Sequence, residues 1–523
     1  MSDFAPAAAG GPPRFALSRG LFLRLLGLVY LVAFASLSTQ ILGLIGADGL
    51  LPAAAYLERV HDLWGAEAYY RLPTLLWLWP SDTGLVALCW MGMALSVAAV
   101  AGMAPIATFA ALWVCYLSLT IAGQDFLSFQ WDVLLLEAGL LAVLYSPAAW
   151  RAPLRSGRNP PAAARWLVWG LAFKLTFLSG VTKLLSGDAT WLSLTALRYH
   201  YETQPIPTWV GWYAHQLPDW SGTLSVAVMF VIEVAVPFVI FVPARFRRVR
   251  IAGCALLCLL QILIAATGNY GFFNLLTLVL YLSLLDDDAI LAAVSGLRSM
   301  AGARSGPRLR SAPSGASPKP AKPAPADVSR QPAGPPWRGY AVASLAALLA
   351  VLSALTLVRE VRWPRPMPAW SDTLLGAVVP LRSVSGYGLF RSMTTERPEI
   401  VIEGTADGVT WKEYAFPWKA GDLARAPGFV QPHMPRLDWQ MWFAALDPQR
   451  QAHWLFALVE RLLENDPTAL SLLDGNPFPD EPPRFIRLVM YRYRFTGRDA
   501  GASGDWWSRE LIGSLTEPIP RRP

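Results

Sequence analysis

Apolar residues fill long runs along this chain, and most polar residues gather between the runs. A run must reach roughly 20 residues to cross a hydrocarbon core about 30 Å thick. Runs at 21–45, 84–103, 106–123, 126–145, 166–185, 224–242, 251–266, 272–285 and 340–358 predict about nine spans. The first is too long for a signal-peptide core and reads as a spanning helix. The seventh and eighth are short, and "TGNYGFFN" between them reads as a join of separate spans or as one kinked or re-entrant pair. Beyond residue 358 the period changes. "PEIVIEGTADGVTWKEYAF" predicts strand, turn, strand, and "RFIRLVMYRYRF" (484–495) alternates with period two. "QRQAHWLFALVERLLEN" (449–465) has helical spacing. The predicted fold is a polytopic α-helical membrane bundle followed by a small α+β, β-rich extracytoplasmic domain.

The predicted organisation is a cytoplasmic tail (1–20), a helical membrane domain (21–285), a disordered basic Pro/Ala-rich cytoplasmic linker (286–338), a last transmembrane helix (339–358) and the extracytoplasmic domain (359–523). The linker includes "SAPSGASPKPAKPAPADVSRQPAGPP", which cannot bury a core.

Composition agrees with a membrane protein, with 54% hydrophobic and 15% charged residues. The formal charge of +7 does not point to nucleic acid, because the arginines stand between apolar runs, where they set topology. "WRAPLRSGRNPPAAAR" (150–165), "PARFRRVR" (243–250) and the stretch 298–338 are basic and predicted cytoplasmic. With the amino terminus also inside, parity puts the carboxy-terminal domain outside, and a miscount of two spans preserves that sidedness. Cys89, Cys115, Cys254 and Cys258 all lie within apolar runs, so neither a disulfide framework nor structural zinc is predicted.

Charged residues inside apolar runs are costly unless paired or wetted. Lys174, Asp132, Glu137 and Glu233 are such residues, and Lys174 is expected to pair with one of the three acids. Asp125, Asp132 and Glu137 either line a polar cavity with Lys174 and Lys183 or make separate helix-packing contacts. Lys183 ends its run and can snorkel to the interface. His200, Glu202 and His215 lack a third ligand at helical spacing, so no metal is predicted. Trp209, Trp212 and Tyr213 suit an interfacial segment, and the same aromatics can serve as client contacts. Trp191, Tyr199, Tyr201, Glu202, Trp209 and Trp411 are client-binding candidates, together with Arg436, Asp438, Trp439 and Trp442 of "PHMPRLDWQMWFAAL". A fold-defining role for that last cluster is the alternative.

Several strings resemble the lipase maturation factor family: "FLSFQWDVLLLEAG" (126–139), "HYETQPIPTWVGWYAHQLP" (200–218), "GNYGFFNLLT" (268–277), "TERPEIVIEGTADGVTWKEYAF" (395–416) and "QPHMPRLDWQMWFAAL" (431–446). The resemblance runs from about residue 20 to 510 outside the linker. It implies a chaperone-like protein-maturation role: vertebrate members are endoplasmic-reticulum membrane proteins needed for newly made dimeric lipases to become active, with the carboxy-terminal region luminal. The Ala/Arg/Pro-heavy composition of this chain looks bacterial, which implies the cytoplasmic membrane instead. More faintly, "SGVTKLLSGDATW" (179–191) is similar to the membrane part of vitamin K-dependent gamma-carboxylases, where a lysine before an xDxxW segment acts as a base. Lys183 stands in the matching position, but Thr182 replaces a second lysine of that pattern.

Two functions follow. One is an integral-membrane maturation factor holding an exported client, lipase-like by the resemblance, with no cofactor predicted. The other is a membrane enzyme using a lipid-soluble cofactor near Lys183 and His200, which are candidates only, no catalytic residue being assigned. A transporter would need a midplane polar path or an internal repeat, and neither is evident. No GxSxG elbow, phosphate loop or HExxH string occurs. The predicted partners are the lipid bilayer and the client, with no nucleic acid.

Overall fold

The first helix, Ala16–Ser38, carries small residues where its neighbour comes closest. A Cβ on Gly27 would stand 2.9 Å from that of Ala99, and one on Gly92 would run into the Phe34 ring. Glycine therefore sets the approach of Ala16–Ser38 to the second long helix, Asp82–Ala101. The latter is capped at its start by Ser81, whose hydroxyl accepts the Gly84 N–H, and ends at Gly102 with φ of 74°. This computed structural model describes residues 14–155, 157–304, 336–497 and 504–522.

Among the described residues, seven helices are long and apolar enough to cross a membrane: Ala16–Ser38, Asp82–Ala101, Pro105–Ala122, Ala162–Leu185, Asp219–Phe241, Arg247–Thr267 and Val342–Arg362. Two of the predicted spans are shorter helices. The run 126–145 begins with a 3-10 turn, Gln124–Leu127, and yields a helix only over Gln130–Tyr145. Gln124 has φ of 48°, which ends helical continuity upstream. The run 272–285 yields Phe273–Leu282, ten residues. Its upstream join is a turn at Asn269, whose side-chain N–H donates to Gly428 O (2.8 Å) and whose side-chain oxygen accepts from Val430 N (2.9 Å). The count of nine is accordingly not confirmed: seven candidate spans and two shorter helices stand at those runs.

The first residues of the expected linker form a helix. Asp287–Arg304 is helical, with Asp287 accepting the N–H groups of Leu17 and Ser18. The expected disorder of 305–335 lies outside the described residues.

The carboxy-terminal part contains an antiparallel sheet. Its strands are β1 (Arg397–Thr405), β2 (Lys412–Glu413), β3 (Phe485–Phe495), β4 (Trp507–Ser514) and β5 (Ile519–Pro520), in the order β2-β1-β3-β4 with β5 beside β3. β1 and β3 pair from Arg397 opposite Tyr493 to Thr405 opposite Phe485. The β1–β2 turn is set by Asp407, which accepts from Val409 N, Thr410 N and the Thr405 hydroxyl; these bonds hold its carboxyl well below the usual range. Helices Arg436–Leu446 and Ala452–Leu463 complete this part. The apolar core runs without a break from Phe22 and Tyr30 of the first helix to Ile400, Trp454 and Ile486 of the sheet region.

Candidate functional site

Three acids buried within the bundle, Asp132, Glu137 and Glu233, each have their own cation. Asp132 is fully buried and takes a two-pronged bond from Arg436, Nη1 to Oδ2 at 2.9 Å and Nη2 to Oδ1 at 2.7 Å. Tyr116 donates to the same carboxylate at 2.5 Å. Glu137 accepts from Lys174 Nζ at 2.6 Å and from the Tyr387 hydroxyl at 2.7 Å. Glu233 takes Lys183 Nζ at 2.7 and 3.0 Å. These groups are not gathered in one cavity; they make separate contacts, two of which reach residues following the last candidate span.

Sequence places each group. Glu233 lies in a single π turn, Val231–Ala235, inserted in the Asp219–Phe241 span. Its Cβ would be 2.8 Å from one on Gly180, one turn before Lys183, so the glycine admits the acid to the lysine. Lys183 is 5% exposed and its ammonium stands 5.3 Å from the Trp191 ring centroid. The snorkelling expectation is therefore corrected: the ammonium turns inward to Glu233 and does not reach the surface.

The loop after Lys183 is fixed to the carboxy-terminal part. Asp188 caps the short helix Ala189–Leu192 and also accepts Met393 N at 3.0 Å. Burial raises its pKa, but hydrogen bonds from Thr190, Met393 and Trp191 outweigh that and hold it below the ordinary value. Arg397 at the head of β1 donates to the carbonyls of Glu202 (2.7 Å) and Pro205 (2.8 Å). Trp442 Nε1 donates to Thr203 O at 2.8 Å, and the Glu202 carboxylate accepts Phe495 N at 3.0 Å. Segment 200–218 is thus the seat on which the sheet region rests.

A family model described as the lipase maturation factor transmembrane domain matches residues 17–292, and one for the lipase maturation factor C-terminal domain matches 383–517. Lipase maturation factor 2 of Homo sapiens is 38% identical, over 95% of this chain and 82% of its own length. Lipase maturation factor 1 of Bos taurus is 37% identical, over 97% of this chain and 90% of its own length. The chain belongs to the lipase maturation factor family. No solved structure matches it.

In this lipase maturation factor family member the predicted site residues divide by exposure. Trp191, Arg436, Asp438, Trp439 and Trp442 are buried, none more than 9% exposed. Tyr199, Tyr201, Glu202 and Trp411 are half-buried, Tyr201 beside Tyr493 and Phe495, and Trp411 under Arg487 at 4.1 Å. Trp209 is exposed. His200 and His215 do not converge: His200 bonds Tyr270 and packs on Phe390, whereas His215 faces Glu202 and Phe495. Desolvation, helped by Lys183, lowers His200 to about 4, so it is neutral near pH 7. Among the described residues no group of three His, Cys, Asp or Glu side chains could hold a metal ion.

Tyr387, Arg397, Asn269 and Gln204 were not singled out from sequence. Asn269 alone left a signal, as an amide at apparent membrane depth; Arg397 is one arginine among many until the fold aims it.

Asp438 accepts the N–H groups of Trp418 and Lys419, both at 2.8 Å. Burial lifts its pKa to about 6 despite these bonds. Because the folded value exceeds the unfolded one, near 3.9, its contribution is fully present below the unfolded value and is lost as pH rises through about 6. Asp438→Asn is expected to remove a fall in stability of about 2–3 kcal/mol between pH 4 and pH 7. Denaturation midpoints of both proteins across that range check it; parallel curves would refute the assignment.

Proposed function

We propose that this protein, an integral membrane protein, is a maturation factor that holds exported lipase-like proteins while they fold or assemble. In this reading the amino terminus is cytoplasmic and the carboxy-terminal part faces the compartment where exported proteins fold, across the cytoplasmic membrane in a bacterium. Family membership supports the maturation role. The observation that carries the holding surface is a continuous aromatic patch. Trp209 and Tyr213, 45% and 50% exposed, lie on the membrane-domain segment, and Phe429, 43% exposed, lies in the carboxy-terminal part. Trp209 meets Phe429 at a centroid distance of 5.7 Å, and Trp506 joins Trp212 at 5.1 Å. Exposed apolar patches of this kind mark binding sites, and aromatic side chains dominate binding energy. Client capture there needs no covalent chemistry. The pairing of Lys183 with Glu233 supports a structural part for that lysine, and no catalytic step is proposed for it.

The test is activity of a secreted lipase made in membranes bearing Trp209→Ser, Tyr213→Ser and Phe429→Ser together. Active lipase should fall about tenfold or more, while the melting midpoint stays near that of the parent because the side chains are exposed. A benzophenone amino acid at position 213 should cross-link to the lipase. Undiminished maturation by the triple variant would sink the holding surface.

A further inference from the structure

Where the bundle meets the carboxy-terminal part there is a cleft of about 540 Å³, within the size range of small-molecule sites. Its walls are aromatic: Phe129 and Trp131 at the start of Gln130–Tyr145, and Trp439, Trp442 and Phe443 on Arg436–Leu446. Trp131 and Trp439 are only 1% and 4% exposed, and their rings meet at 4.8 Å. Neither indole N–H has an acceptor among the described residues. Trp191 donates to Phe390 O, Trp442 to Thr203 O and Trp454 to the Gln451 side chain, whereas the buried Trp212 indole N–H, away from this cleft, also lacks an acceptor among the described residues. Two adjacent buried donors without acceptors are unusual, since such groups are nearly always bonded. Loss of water without a replacement partner is costly.

The rim supplies charge. Asp125 is engaged by His453 at 2.6 Å, Asp447 accepts Arg450 N at 3.2 Å, and Arg391 is paired with Glu360 at 2.6 Å. Arg450, exposed at the rim, has no ion-pair partner among the described residues. Apolar walls, two donors in need of acceptors and an available cation together describe one ligand chemistry. We propose that the cleft binds an acyl-chain amphiphile with an anionic, hydrogen-bond-accepting head, its chain against the aromatic walls. Its source is either a free fatty acid or a phospholipid of the bilayer at the end of the bundle. This site is separate from the aromatic patch and does not depend on client holding.

The full chain in nanodiscs would be irradiated with a diazirine-bearing stearic acid, or with a diazirine-bearing phosphatidylglycerol built into the disc, and the adducts mapped by mass spectrometry. Adducts within 128–131, 388–392 or 439–451 are expected from at least one probe, and the responding probe identifies the source. Trp131→Phe with Trp439→Phe keeps aromatic walls but removes both donors, and should cut labelling about tenfold. Arg450→Gln, at an exposed position, should cut it several-fold. Ser392→Trp, also exposed, should plug the rim and abolish labelling without unfolding the protein. Adducts from neither probe at these segments, or unchanged yield in the plugged variant, would overturn the proposal.

Discussion

Arg436→Ala is expected to destabilise the protein by about 3–5 kcal/mol, the cost of breaking a buried ion pair by removing one partner. The guanidinium is 1% exposed and Asp132 fully buried, so neither charge can recover solvation when the other is lost. The variant would strand the Asp132 carboxylate with Tyr116 as its remaining side-chain donor, and would also release Phe126 O, which Arg436 Nη1 holds at 2.6 Å. Because Arg436 begins the helix on which Trp439 and Trp442 stand, the carboxy-terminal part should loosen from the bundle before the membrane helices separate. Limited proteolysis in detergent should cut within 397–497 at low protease, and the denaturation midpoint should drop. Arg436→Met combined with Asp132→Leu should recover most of the loss, since an apolar pair of similar volume can replace a buried ion pair at little cost. A single variant costing under about 1 kcal/mol would show the pair to be solvated instead.

The physical origin of these contacts explains what sequence revealed. Apolar runs were legible because crossing a bilayer demands length; β1, buried along nearly all its length, showed through its β-branched residues, and β3 through its period-two alternation. β4 was not read: its exposed Leu511 and Ile512 blur the alternation that edge strands otherwise display. The intramembrane acids announced themselves through their cost, and Lys174 was expected to pair with one of them, but which acid it takes and the partners of the other two were not legible. Lys174 finds Glu137 37 positions away and Arg436 finds Asp132 across 304 positions. Such pairings depend on how helices stack, which periodicity does not encode. The aromatic strings were conspicuous for a related reason, yet tryptophan looks the same in sequence whether it fills an interface, as Trp442 does, or faces solvent, as Trp209 does. The break at Gln124 and the π turn around Glu233 were invisible because both arise from local backbone choices inside apolar surroundings.

Arg397→Ala is expected to have a comparable effect and a different signature. Arg397 is 1% exposed and fans its donors over the carbonyls of Glu202, Gln204 and Pro205, while Nη2 also meets Glu399 Oε1 at 2.7 Å. Those carbonyls precede Trp209, so one side chain in β1 positions the segment that carries half of the proposed client surface. Alanine would leave them without their donor and leave Glu399 with Lys419, at 2.9 Å, as its one cation, a loss of about 3–5 kcal/mol. Arg397→Lys separates the two contributions. A lysine ammonium can still neutralise Glu399, but a single point charge cannot reach several carbonyls in the planar fan that guanidinium provides. Hydrogen exchange should therefore accelerate across 197–215 in both variants, whereas the stability loss should be smaller for lysine. Client cross-linking through position 213 should fall in step with that exchange. Unaltered exchange across 197–215 in Arg397→Ala would mean that Trp442 and Glu202 hold the segment without help from β1.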